Sequence, residues 1–188
     1  MSKGLVVLDA SALIAGYEPE NSKGKHYTVP EVVQELRDET TLIRVQAAVD
    51  SGRLIVETPR AEVKEQVMKI AREIGEGSEL SPADLSVLSI ALQLRETTIQ
   101  VTVISDDYSV QNMAVRLNVK YAALLTRGIS QKIIWRTYCP GCFRSYRKAV
   151  SDNICPVCGT ELKRKPVRKT KIENQAGNKP LYGATLKY

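Results

Sequence analysis

Histidine is nearly missing from this chain: His26 is the only one in 188 residues, beside one Trp and one Phe. A histidine-based catalytic triad would rest entirely on that ring. No motif surrounds His26, so it reads as a surface residue or a satisfied interior one. No G-x-x-x-x-G-K-[ST] phosphate loop and no G-x-G-x-x-G fingerprint occurs, which removes the two commonest nucleotide-binding signatures. No apolar run approaches the roughly 18 residues of a membrane span, and Met1–Asp9 lacks the apolar stretch of a signal peptide. A cytoplasmic protein without a membrane partner is the expectation. Cysteine is absent from the first 138 residues, and all four lie between positions 139 and 158.

Charge divides the chain in the same place. Residues 1–126 carry 13 Lys/Arg against 18 Asp/Glu, a formal −5, whereas 127–188 carry 14 against 3, a formal +11. An acidic body with a basic second part points to a polyanion as partner.

The first part alternates strand and helix signals. Leu5–Leu8 is continuously apolar, the pattern of a strand buried on both sides. A helix-like stretch follows at Ser11–Ala15. Tyr27-Thr28-Val29 precedes Pro30, a helix N1 proline, with Val32, Val33 and Leu36 as the apolar face. Arg53–Glu57 is another short strand. A helical period runs from Glu62 to Ile74 and ends at Gly75. Ser81-Pro82 opens a helix through Leu85, Leu88 and Leu92. The β-branched run Val101–Ile104 reads as a central strand, followed by a helix at 108–117 and a strand at 119–121. Repeated strand–helix order predicts an α/β fold, a central parallel sheet covered by helices on both faces.

In the second part, Cys139-Pro140-Gly141-Cys142 and Cys155-Pro156-Val157-Cys158 form two C-x-x-C corners twelve residues apart. That spacing suits a zinc ribbon, one structural Zn²⁺ with four thiolates and no open position. A rubredoxin-like iron uses the same ligands, and a disulfide pair is the remaining alternative. Arg136, Arg144, Arg147, Lys148, Lys163, Arg164 and Lys165 surround the ribbon as candidate RNA contacts. Tyr138, Phe143 and Tyr146 either stack on bases or pack the ribbon itself. Residues 163–171 show no amphipathic period and read as mobile until bound.

With histidine and cysteine scarce in the first part, its chemistry falls to carboxylates. Asp9 directly follows the first strand, and Ser105-Asp106 follow Val101–Ile104. In an open parallel sheet those positions lie on the ligand-binding edge. Asp84 occupies N3 of the Ser81-capped helix yet continues its apolar stripe toward the sheet. Glu35 is the weakest, because Glu31, Glu35 and Glu39 read as one solvated helix face. Converging carboxylates repel by about 4 kcal/mol per pair at 4 Å and an effective dielectric near 20. Mg²⁺ or Mn²⁺ would offset this and could serve phosphodiester hydrolysis.

Val6–Leu13, Val29–Leu36, Leu80–Leu88 and Val103–Tyr108 together resemble the four acidic motifs of the PIN-domain ribonucleases. The resemblance implies an α/β/α sandwich with Asp9, Glu35, Asp84 and Asp106 as catalytic metal ligands. Asp107, Ser11 and Ser105 would be auxiliary. Ser105-Asp106-Asp107-Tyr108 with Val110-Gln111-Asn112, followed by a Cys-x-x-Cys ribbon, more closely resembles the compact archaeal form of the Nin-one-binding protein family. That likeness implies an endoribonuclease maturing the 3′ end of small-subunit precursor ribosomal RNA among pre-ribosomal particle proteins. Its rivals are a toxin-like PIN nuclease and a non-catalytic RNA-binding assembly factor. The expected division is 1–126 nuclease domain, 127–165 linker and small β zinc-ribbon domain, and 166–188 basic flexible tail.

Overall fold

Among the described residues, five short segments pair as a parallel sheet. They are β1 (Leu5–Leu8), β2 (Lys25–Thr28), β3 (Leu54–Val56), β4 (Val101–Ile104) and β5 (Lys120–Ala122), in the order β3-β2-β1-β4-β5. The structure is a computed structural model and describes residues 4–19, 24–98, 100–126, 128–129, 131–146, 150 and 153–171. In register, β1 runs Leu5 to Leu8 against Val101 to Ile104 of β4. Successive residues Val7 and Leu8, like Val103 and Ile104, point to opposite faces and are both buried. Both faces are therefore covered, which is why β1 reads as an unbroken apolar run and β4 as a largely apolar, β-branched one.

Among the described residues, six α-helices connect the strands: α1 (Ala10–Ile14), α2 (Pro30–Glu35), α3 (Glu39–Asp50), α4 (Ala61–Ile74), α5 (Pro82–Leu94) and α6 (Tyr108–Arg116). Helix α5 is buried around most of its circumference, Ala83, Leu85, Val87, Leu88 and Ile90 included. Such a helix lies inside the fold rather than on it. Among the described residues no helix is long and apolar enough to cross a membrane.

Two expectations need correction. Glu31, Glu35 and Glu39 do not share a helix face, because α2 ends at Glu35 and Leu36 turns extended (φ −72°, ψ 123°). Asp38 then starts α3 by accepting from the N–H and the hydroxyl of Thr41, at 2.7 and 2.8 Å. The second correction concerns the segment read as mobile. Residues 163–171 form β8 (Lys163–Lys171), antiparallel to β6 (Gln131–Tyr138), with β7 (Ser145–Tyr146) on the other side of β6. Backbone pairing organises a strand whose side chains carry no apolar alternation. Pro166, which has no N–H to donate, sits beside the register shift opposite Ile134 and Trp135. Only residues 166–171 of the expected tail are covered by β8; 172–188 lie outside the described residues.

Candidate functional site

Connectivity reverses direction between β1 and β4, so their carboxyl ends flank a crevice at a topological switch point. Asp9, leaving β1, is buried and caps α1. Its Oδ1 accepts from the Ala10 N–H at 2.7 Å. Its Oδ2 accepts from the Ser11 hydroxyl at 3.0 Å and the Ser105 hydroxyl at 2.7 Å. The carboxylate is therefore locked in orientation by one residue from each neighbouring loop.

Asp84 arrives from α5. Its Oδ2 accepts from the Ser81 N–H at 2.8 Å while its own N–H donates to the Ser81 hydroxyl at 3.1 Å, a reciprocal capping box. Burial pushes its pKa up to about 6 against the two hydrogen bonds from Ser81, and the negative charges of Asp9 and Asp107 add to the rise. Asp84 is thus the meeting point of the acidic edge.

The adjacent aspartates after β4 diverge. Asp106 turns to the chain after β5, where its Oδ1 accepts from the N–H groups of Leu124, Leu125 and Thr126 at 3.0, 3.1 and 2.9 Å. The Thr126 hydroxyl adds a fourth donor at 3.0 Å. Burial opposes its ionisation, but the Thr126 and Leu125 N–H groups, the Thr126 hydroxyl and the Leu124 N–H hold its pKa below the ordinary value. Asp107 is exposed and caps α6 through Oδ1, which accepts from the Ser109 N–H at 2.6 Å. The charges of Asp9 and Asp107 act on Asp84.

Glu35 ends α2 and is exposed. One turn earlier, Glu31 is half-buried and accepts at Oε1 from the Ser86 hydroxyl (2.7 Å) and Lys64 Nζ (3.1 Å). From sequence alone Glu31 looks like part of a solvated face, because its partners Lys64 and Ser86 belong to distant helices. His26 is fully buried with the Tyr17 hydroxyl 3.1 Å from Nε2, and burial lowers its pKa.

Among the described residues, only Cys139, Cys142, Cys155 and Cys158 bring three or more ligand atoms of the usual metal-binding types within 4.8 Å of one another. All four are free thiols. The Sγ pairs 139/158 and 142/155 stand 3.4 and 3.6 Å apart, near the roughly 3.8 Å edge of a tetrahedron with Zn–S bonds of about 2.3 Å. Gly141 fits this cradle by lacking a side chain: a Cβ there would meet Thr160 Oγ1 at 2.5 Å and Cys158 Sγ at 3.5 Å. The Tyr146 hydroxyl lies 3.0 Å from Cys155 Sγ and is the main cause of a thiol pKa lowered to about 6. A soft, thiolate-rich, closed site of this kind suits zinc.

A family model described as the PIN domain of ribonuclease matches residues 6–94. Endoribonuclease Nob1 of Methanocaldococcus jannaschii is 38% identical over 162 residues, covering 86% of this chain and 78% of the relative. Endoribonuclease Nob1 of Pyrococcus abyssi is 38% identical over 164 residues, covering 87% and 95%. These alignments are longer than residues 1–126, so the likeness runs into the cysteine-bearing part. The chain belongs to the Nob1 family of PIN-domain endoribonucleases. A eukaryotic Nob1 relative, the 20S-pre-rRNA D-site endonuclease nob1 of Schizosaccharomyces pombe, is 32% identical over 97 residues, half of this chain and 24% of that one.

In this Nob1-family chain the ribbon's cations are sorted by the β6–β8 ladder. Paired residues share a face. Arg136, Lys163 and Lys165 therefore lie with Lys132 and Arg168 on one side, together with Ile134 and Tyr138. Lys165 Nζ sits 4.8 Å from the Tyr138 ring centre. Arg164 falls on the other side and is already engaged. It bonds Glu76 at 3.1 Å and Glu79 at 2.6 Å and lies over Trp135 at 4.9 Å. Arg144 is exposed before β7, and Arg147 and Lys148 lie outside the described residues.

Proposed function

We propose that this chain is a Mg²⁺- or Mn²⁺-dependent endoribonuclease that matures the 3′ end of small-subunit precursor ribosomal RNA by hydrolysing one phosphodiester bond. The observation that carries the reading is Asp84, half-buried at the switch-point crevice and pushed toward neutrality by burial and by Asp9 and Asp107. Such an edge is short of positive charge and offers only hard oxygen donors, the chemistry that Mg²⁺ and Mn²⁺ prefer. A divalent ion held there neutralises the phosphodiester and lowers the pKa of water.

The roles of the residues follow from their contacts. Asp9, Asp84 and Asp107 hold the cation, Ser11 and Ser105 fix the Asp9 carboxylate, and exposed Glu35 at the end of α2 is the remaining acid of the set. Asp106 anchors the loop after β5 rather than ligating. The four cysteines hold a structural zinc that folds a ribbon too small to build a core of its own. RNA lies along Lys132, Arg136, Lys163, Lys165 and Arg168, with Arg144 at its border. The units are a nuclease domain over 1–126 and a ribbon that extends through β8. The rRNA substrate rests on the relatives, the S. pombe enzyme by its name. A reducing compartment, the cytoplasm, suits four free thiols, and the substrate places the chain among pre-ribosomal particle proteins.

The test is incubation of purified protein with precursor RNA spanning the small-subunit 3′ end, with Mn²⁺ or with chelator. One internal cut that disappears with chelator is expected. No cut, or a cut that survives chelation, overturns the reading.

A further inference from the structure

The chain between β5 and β6 is fastened to the nuclease fold by side chains that begin at the acidic edge. Asp106 holds the N–H groups of Leu124, Leu125 and Thr126, as described above. Gln111, fully buried, donates from Nε2 to the Ser105 carbonyl at 2.8 Å and accepts at Oε1 from the Ile129 N–H at 2.9 Å. Asn112 takes up both backbone groups of Ile133 in β6: Oδ1 accepts from its N–H and Nδ2 donates to its carbonyl, each at 2.9 Å. The same Nδ2 donates to Glu76 Oε1 at 2.8 Å, and Glu76 Oε2 accepts from Arg164 of β8. Beside this network Gly75 has φ +77°, and a Cβ there would lie 2.6 Å from the Trp135 carbonyl oxygen. The backbone of β6 is thus seated directly on the end of α4.

Every polar group here is specific in geometry. An Asn that pairs with both the N–H and the C=O of one strand residue tolerates little sliding. A buried carboxylate such as Glu76, 2% exposed, is costly unless its partners stay in place. Gln111 starts the chain of contacts at Ser105, the residue that also holds Asp9, and Arg164 ends it on the strand that carries the ribbon's basic face. The position of that face is therefore referenced to the carboxylates.

We infer that Gln111 and Asn112, with the Glu76–Arg164 pair, are specificity-determining positioning residues. They hold the basic ribbon at a fixed place relative to Asp9, Asp84 and Asp107, so that RNA bound on the ribbon is cut at one position. The inference rests on the function proposed above. It reassigns Arg164 from RNA contact to fastening.

Two full-length variants test it independently, Asn112→Ala and Arg164→Ala. Each is compared with wild type on end-labelled precursor RNA and on a short unstructured RNA that needs only the acidic edge. Precursor affinity, zinc content and Tm are measured alongside. Wild type is expected to cut the precursor at one dominant position. The variants spread cuts over neighbouring positions and lose about tenfold in kcat/KM on the precursor, since a small misplacement of the reacting groups is costly. Their precursor affinity and their rate on the short RNA stay within about twofold of wild type. Cuts at the unchanged single position with unchanged kcat/KM overturn the inference, as does an equal loss on both RNAs, which marks a merely structural role. If Asn112→Ala does not fold, Arg164→Ala decides alone. Wild-type protein that cuts neither RNA overturns the proposed function itself, and this inference with it.

Discussion

Asp106→Asn and Asp107→Asn, one residue apart, should have opposite effects. Asp106 Oδ1 accepts four hydrogen bonds from residues 124–126, three of them from backbone. Its Oδ2 also receives the Leu125 N–H at 3.2 Å. Asparagine keeps one acceptor, loses the charge, and presents an NH₂ group to N–H donors. Hydrogen bonds to a charged acceptor are worth about 1.5–3 kcal/mol and neutral ones about 0.5–1.5, so this partly exposed site loses about 2 kcal/mol in all. At roughly 2–4 °C per kcal/mol for a chain of this size, Tm falls by about 4–8 °C at pH 7. The pH dependence has a definite sign. The folded pKa of Asp106 lies below the unfolded value, so its contribution is present above about pH 4 and is lost as pH falls through the folded pKa. The Tm gap between wild type and Asp106→Asn should close over that acid range.

Asp107→Asn leaves the α6 cap nearly as good, because Asn and Asp are equivalent there. It also removes one of the charges that oppose ionisation of Asp84. Tm should hold or rise slightly, while RNA cutting falls by more than about 100-fold, beyond the loss typical of an outer-shell metal partner. Differential scanning fluorimetry from pH 3 to pH 8 and a gel-based cutting assay in Mn²⁺ read both quantities. If Asp106→Asn keeps its Tm and abolishes cutting while Asp107→Asn cuts normally, the assignment is reversed and Asp106 is the ligand.

The remaining expectations are shorter. Asp84→Asn, in chelator, should stabilise the protein by about 1–2 kcal/mol at pH 8 and not at pH 4, after allowance for partial exposure. A carboxyl whose folded pKa is raised to about 6 destabilises the fold increasingly as pH rises from about 4 to that value, so an equal gain at pH 4 contradicts the account. Elemental analysis should find one zinc per chain, and Cys142→Ser should release it; metal-free wild-type protein refutes the site. Lys165→Glu with Arg168→Glu should weaken RNA binding and flatten its log–log salt dependence by about 0.7 per lost phosphate contact, and an unchanged slope would move the RNA elsewhere. Gly75→Ala should cost about 1–2 kcal/mol for the left-handed backbone alone, read as a lower Tm, with the approach to Trp135 adding to it; an unchanged Tm excludes the proposed seating of β6.

Much of the fold was legible because its signals are local. Buried parallel strands announce themselves as apolar runs, Ser81-Pro82 states a helix start, and C-x-x-C corners carry their geometry in four residues. What escaped was set by partners far away in sequence. The α2–α3 break depends on Leu36 turning extended and on Asp38 gripping Thr41, within a stretch whose acids keep helical spacing. β8 has no periodic apolar pattern because it is held by backbone pairing along β6 and by charged side chains such as Arg164 rather than by a buried apolar face. Glu76 reads as a polar residue after a helix-ending glycine, yet it is buried under Asn112 and Arg164, 36 and 88 positions further along.

The pair Asp106-Asp107 shows the limit most sharply. Both follow the same central strand, both are aspartate, and no property of the dipeptide distinguishes ligand from anchor. The two carboxylates leave the strand for different partners, Asp106 for the turn after β5 and Asp107 for the start of α6. Which one goes where depends on where unpaired N–H groups wait. The turn after β5 offers three in succession, at Leu124, Leu125 and Thr126, and a carboxylate is the strongest acceptor near them. Asp106 is drawn to that turn, while Asp107 caps the start of α6 and adds its charge to those acting on Asp84. The acidic edge and the anchor of the chain leading to the ribbon are thus neighbours by one peptide bond. Under the function proposed above, that adjacency lets a single short motif set both the cation's place and the start of the strand proposed to carry RNA.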